Sequence, residues 1–186
     1  FAELGEDTLS GKSLDDRAGF VSILYALHLL RDREIGCDIA VLGSVQEETG
    51  ARGAGPGVFP IRPDAAVVID VTHGKTTDGP ADKTFECGGG PPIGMGPFLN
   101  RRLTGLMIEI AKKNDIKYQL EVMEEHTGTN NESINVSRQG IPTAMASVPL
   151  KYMHTPFETL RLEDIRMTGR LLAEFAAAYG EVDHNA

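Results

Sequence analysis

Positive charge is scarce in this 186-residue chain: 18 Lys and Arg stand against 27 Asp and Glu, a formal net charge of −9. No basic stripe forms along it, which argues against a nucleic-acid partner held through its phosphates. Cysteine is scarcer still. Cys37 and Cys87 are too few for a disulfide scaffold and read as two reduced thiols. No apolar run is long enough to span a bilayer and no signal peptide is found, so no membrane partner is expected and a soluble, cytoplasmic setting is. Repeats, heptads and low-complexity segments are missing as well. What is present is a hydrophobic content of 41%, enough for one globular domain or a piece of a larger one. The chain opens on Phe1 rather than Met, and a motif at Asp15 follows almost at once. Processing or truncation upstream is therefore expected.

The hydrophobic pattern alternates between two periods. Leu14–Gly19 leads into Phe20–Leu30, where apolar residues at 20, 23, 24, 27 and 30 follow helical spacing. Asp38 to Gln46 reads as a buried strand, and Ala65 to Val71 as another that ends at Asp70, with a short helix or loop in the Gly/Pro-rich stretch between them. Thr72 to Phe85 is polar and turn-rich. A Gly/Pro-dominated segment, Gly88 to Pro92, enters a short strand around Ile93. Asn100 to Asp115 is an amphipathic helix with Leu103, Leu106, Met107, Ile110 and Ala111 on one face. Tyr118 to Met123 alternates like a strand, Asn131 to Arg138 suits a short helix, and Pro142 to Val148 suits a strand. A loop carries Tyr152 to Pro156, and Leu162 to Tyr179 is a closing helix. Strands alternating with helices predict an α/β fold, with a mostly parallel central sheet flanked by helices. In such sheets ligands gather beyond the carboxyl ends of the strands, where Glu47, Glu48 and Asp70 fall by sequence order.

Paired carboxylates at a strand end suit metal chemistry: one can ligate while its neighbour takes a proton from water. Glu47 and Glu48 form such a pair, and Asp15, Asp70 and His154 supply further oxygen and nitrogen ligands of the kind that zinc, cobalt or manganese accepts. Each has a plainer reading. Asp15 either bridges two ions or, with Asp16, caps the following helix. The glutamates either ligate and act as base or are a solvated pair. Asp70 is a ligand or a turn former. His154 lies in Lys151–Pro156, where Pro156 restrains the loop, and is a ligand or an ordinary loop histidine. His28 belongs to a helical apolar stretch. His73, His126 and His184 have weaker claims, and only His73 is close in sequence to a proposed ligand. Gly88–Gly90 lacks the spacing and the helix of a phosphate-binding loop, so nucleotide binding there is rejected.

Six segments, in order, carry a resemblance: LDDRAG (14–19), SVQEETGARGA (44–54), AVVIDVTH (66–73), GGGPPIGMGP (88–97), HTGTN (126–130) and VPLKYMHTPFET (148–159). Together they resemble the glutamyl and deblocking aminopeptidases with two metal ions, whose tetrahedral (TET) members are best known and some of which carry the label endoglucanase M. The resemblance implies a zinc-exopeptidase-like fold and two divalent ions, zinc or cobalt, with manganese also suited. It implies that Asp15 bridges the ions and is joined by a cis peptide to Asp16. Glu48 and His154 would complete one site, Asp70 with Asp15 would hold the other, and Glu47 would be the general base. In that family a histidine of an HxD-type motif and a small β-rich dimerisation domain precede the LDDRAG-like segment. No residue here matches that histidine, so one metal site lacks its expected ligand. Residues 1–186 are therefore expected to be the C-terminal portion of a catalytic domain without its dimerisation domain. Relatives also have Gly-Thr-Asp-Ala where this chain has Gly128-Thr129-Asn130-Asn131, one carboxylate fewer.

The function expected is removal of N-terminal residues from peptides with a free N-terminus, through a water activated by two metals and deprotonated by Glu47. The full-length enzyme is expected to be a homo-oligomer. The alternative is a non-catalytic fragment or an assembly subunit. Glycan hydrolysis follows only from the old label. It fits poorly, because a glycosidase needs two carboxyl groups flanking the bond rather than carboxylates gathered around a histidine.

Overall fold

A computed structural model describes residues 1–5 and 7–181. From the N-terminus come β1 (Ala2–Glu3), β2 (Thr8–Gly11), α1 (Leu14–Leu30), α2 (Ala54–Ile61), β3 (Ala66–His73) and β4 (Pro92–Met95). They are followed by α3 (Arg101–Lys113), β5 (Gln119–Val122), α4 (Asn131–Ile134), β6 (Thr143–Leu150), β7 (Glu158–Arg161) and α5 (Leu162–Glu181).

The central sheet runs β3-β6-β4-β5. β3 and β6 pair in parallel from Ala66 opposite Thr143 to His73 opposite Leu150, and β4 and β5 are also parallel. β4 meets β6 antiparallel, with Ile93 opposite Ala146, so the sheet is mixed, with two of its three pairings parallel. Every residue of β6 is buried, as a strand covered on both faces requires. Ala144 and Ala146 pack with Ile93 against Met107 of α3 and Leu171 of α5. Met145, between them, faces the other way and packs with Val68, Ala54, Val58 and Ile134. That alternation is the period of two expected of a strand.

α3 forms where its amphipathic pattern predicts it. The Asn100 side chain accepts from the backbone N–H groups of Arg102 and Leu103, and Lys112 and Lys113 occupy the last turn, where positive charge suits the helix dipole. α1 departs from its expected face. Large side chains set the helical spacing in the sequence, yet the buried residues are Ala18, Gly19, Ser22, Ala26 and Leu30. Phe20, Leu24 and Leu27 point outward. The cause is a close crossing of α1 and α5: a Cβ at Gly169 would lie 2.8 Å from the Ser22 carbonyl oxygen, so only small residues fit between the helices.

Two further expectations need correction. Asp38 to Gln46 is not a buried strand. The segment forms no helix or strand and pairs with no strand among the described residues, and Val45 is 67% exposed. Apolar sequence supplies a side chain to bury, whereas a strand also needs a neighbouring backbone to bond. Conversely, a second sheet, β1-β2-β7, was not expected from the sequence. β2 and β7 join residues 8–11 to residues 158–161, and strands of four residues are too short to show their period. Finally, no helix among the described residues is long and apolar enough to cross a membrane.

Candidate metal centre

Three turns converge at the carboxylate-rich end of the molecule. The first joins β2 to α1. Asp15 and Asp16 have non-helical backbone angles and the peptide between them is cis. Asp16 Oδ1 accepts from the Gly19 N–H at 2.8 Å, which makes Asp16 the residue that satisfies the helix start. Asp15 is thereby left for other work, its side chain only 9% exposed.

The second turn follows the unpaired segment. Gly50 and Ala51 donate to the Glu47 carbonyl oxygen, and Gln46 has a positive φ of 60°, so the chain reverses at Glu47–Glu48. The third follows β6. Tyr152 and His154 have φ of 59° and 62°, a conformation uncommon for residues other than glycine. The turn is closed by the bridge between Lys151 and Thr159. His154 Nε2 lies 3.0 Å from Asp15 Oδ2 and 3.3 Å from Glu48 Oε2.

Ligand atoms of these three residues all lie within 4.8 Å of one another. Ligands about 2.0–2.1 Å from a tetrahedral zinc sit about 3.4 Å apart, so the trio fits such an ion with little adjustment. Among the described residues it is the only such group of three or more. Asp70 is not in it. Asp70 is buried and its Oδ1 accepts from the Val71 N–H. It is not strand-terminal as expected, because β3 continues to His73.

Electrostatics tie these groups together nonetheless. Burial, and then the charge of Glu48, push Asp15 up to about 6, with His154 opposing. Burial and the charge of Asp70 push Asp16 up to about 8, against the Gly19 hydrogen bond. Asp70 rises to about 7 through burial, opposed by the Val71 hydrogen bond and reinforced by Glu47, Asp15 and Glu48. Glu47 is raised as well, by burial and then by Glu48. Carboxylates crowded out of water resist ionising together. A bound cation reverses that preference, so this donor set is one that a divalent ion stabilises.

The other histidines stay apart. His126 stacks on Phe98 and lies 3.5 Å from Glu132, and His28 stacks with Tyr25 on α1. His73 is exposed at the end of β3, and His184 falls outside the described residues. The Gly88–Gly90 segment is committed elsewhere: the Gly88 and Gly90 N–H groups donate to the buried Asp164 carboxylate, leaving them no phosphate to cradle. A cavity of about 350 Å³ opens beside Glu47 and Glu48, walled by Gly128, Thr129 and Glu132.

Comparison with known proteins gives the chain its family. Residues 1–171 match the M42 glutamyl aminopeptidase family. The chain belongs to that family. It is 34% identical over 171 residues to a lysyl aminopeptidase of Pyrococcus furiosus, a match covering 92% of this chain and 49% of the relative. Its fold is similar to an aminopeptidase from the archaeon Desulfurococcus kamchatkensis, with a TM-score of 0.87 and 31% identity, over 95% of this chain and 51% of that one. It is also similar to the TET1 peptidase of Pyrococcus horikoshii, which can assemble into a tetrahedron or a large octahedral shell. There the TM-score is 0.78 and the identity 29%, over 95% of this chain and 52% of that one. This M42 chain thus spans about half the length of the relatives it matches.

One residue of the candidate centre escaped the sequence reading. Glu158, buried at the start of β7, accepts backbone hydrogen bonds from Leu14, Asp15 and His154. A glutamate four positions after a candidate ligand histidine was the available signal, but nothing in the sequence alone shows that its partners include the turn at Asp15.

Proposed function

We propose that this chain carries the metal-binding part of an M42 aminopeptidase that releases N-terminal residues from peptides. The observation that supports it most is the approach of His154 Nε2 to carboxylate oxygens of both Asp15 and Glu48. In this reading Asp15 would serve two divalent ions, zinc or cobalt by preference and manganese as a third option. Glu48 and His154 would complete one site, and Asp70 would contribute to the other. Ions held there supply Lewis acidity, polarising the peptide carbonyl and lowering the pKa of water. Glu47 stands beside the trio without belonging to it. Its raised affinity for a proton suits a group that takes one from the attacking water and returns it to the leaving amine. The remaining acidic side chains favour the substrate's terminal ammonium.

The competing reading is a chain that folds and holds one ion without turning over. It draws on the Asp70 side, which has no histidine among the described residues, and on the half-length match. Metal analysis after loading with zinc and desalting, followed by assay on a free and an N-acetylated peptide, separates the two. Two ions per chain and hydrolysis of the free peptide alone support the aminopeptidase. One ion without hydrolysis supports the second reading, and no bound ion overturns both. Light scattering tests whether the chain assembles as the TET1 peptidase does.

A further inference from the structure

We infer that Glu158 is a positioning residue that locks two ligand-bearing turns of the metal centre to each other. Glu158 is 3% exposed. Its Oε2 accepts from the Leu14 N–H at 2.5 Å and the Asp15 N–H at 3.2 Å, and its Oε1 accepts from the His154 N–H at 3.1 Å. Each oxygen of a single rigid carboxylate is thus given to one turn. The first turn lies more than 140 residues away in sequence and the second only four. No ion pair to Glu158 occurs among the described residues, so these three N–H groups are what compensates its burial.

The arrangement has a geometric consequence. The Asp15 and His154 side chains meet at 3.0 Å from different turns; Asp15 has non-helical backbone angles at the start of α1, and His154 lies in no helix or strand. The Lys151–Thr159 bridge closes the base of the His154 turn, and the pairing of β2 with β7 ends on this side at Gly11 opposite Glu158. Beyond those anchors, the Glu158 carboxylate is the acceptor that both turns share. An apolar residue of similar size would fill the space but would leave three buried N–H groups without an acceptor. The two turns would then lose the one acceptor they share, and with it the tether on the spacing between Asp15 and His154.

The tether is a claim about geometry, and its effect on metal affinity rests on the function proposed above. Three variants of the full chain test it. Glu158→Gln keeps the shape but presents an amide N–H₂ to one set of N–H donors. Glu158→Asp keeps the charge but shortens the reach. Leu171→Ala loosens the core at a buried residue of α5 whose cluster includes no residue of either turn. Amide hydrogen exchange at Leu14, Asp15 and His154 reads the tether directly, and zinc affinity by chelator competition and the visible spectrum of the cobalt-loaded chain read its consequence. Both Glu158 variants are expected to speed exchange at those amides and weaken zinc binding about 10–100-fold, the range for a partner that orients a ligand. Their cobalt spectra are expected to shift. Leu171→Ala is expected to lower thermal stability with zinc affinity and spectrum unchanged. Unchanged exchange in Glu158→Gln would overturn the tether, as would equal metal effects in Leu171→Ala. If the unsubstituted chain binds no zinc, the proposed function fails, while the exchange measurement still decides the tether.

Discussion

Asp15 faces two different settings. On one side stand Glu48 and His154, both largely open to water, the imidazole itself 63% exposed. On the other stand Asp70 and Asp16, buried and compensated chiefly by the N–H groups of Val71 and Gly19. The first side brings a nitrogen ligand and room for an ion to shed its water gradually. The second concentrates negative charge where solvent cannot screen it and offers no basic side chain in return. The candidate centre is therefore unevenly built: one side is open to water, and the other crowds carboxylates where water cannot screen them.

The largest expected effect comes from the residue between the two sides. Glu47→Gln is predicted to lower peptide hydrolysis about 10²–10⁴-fold with metal content unchanged, since it removes the proton acceptor and no ligand. Lost metal in that variant would instead make Glu47 a ligand. Next, His154→Ala is predicted to weaken zinc binding by more than the about 10–100-fold expected of an orienting partner, while Asp70→Asn spares the tighter ion and lowers only the second. Equal losses in both variants, followed by chelator competition, would erase the distinction between the sides.

A smaller effect concerns pH. Without metal, Asp16 and Asp70 are raised from 3.8 to about 8 and about 7. Between those limits the folded chain holds protons that the unfolded chain releases. Their contribution to stability is therefore fully present below about pH 4 and is lost as pH rises through 7 and 8. The melting temperature of the metal-free chain should fall over that window. Asp16→Asn should flatten the fall while keeping the bond to Gly19, and zinc should reduce it by favouring the ionised carboxylates. The smallest effect lies away from the centre: Asn100→Ala removes the cap of α3 and is expected to cost about 1 kcal/mol by denaturant unfolding, with no change in metal affinity.

Much of this was readable from residues alone, for physical reasons that differ by element. β3 and β6 are covered on both sides and announce themselves as apolar runs, and α3 has one wet and one dry face. Asp15, Glu48 and His154 were nominated, with Glu47 and Asp70, as carboxylates and an imidazole at strand or loop ends; the family resemblance grouped the three, and the fold brings them together. The expected strand from Asp38 to Gln46 failed because pairing depends on a partner backbone, which apolarity does not reveal. The outward face of α1 was misjudged because its crossing with α5 selects small side chains, and a scale of hydrophobicity ranks those low. β2, β7 and Glu158 were invisible for one shared reason: their meaning lies in contacts between distant parts of the chain.

That distance has a consequence for biosynthesis. Residues 8–11 find their strand partner only in residues 158–161, and the Asp15 turn finds its acceptor only in Glu158. Chains emerge from the ribosome N-terminal end first. The turn carrying Asp15 is therefore made before its acceptor and stays without that anchor while the whole central sheet is synthesised. The turns of Asp15 and His154 cannot be joined through Glu158 until β7 has emerged, after the strands of the central sheet.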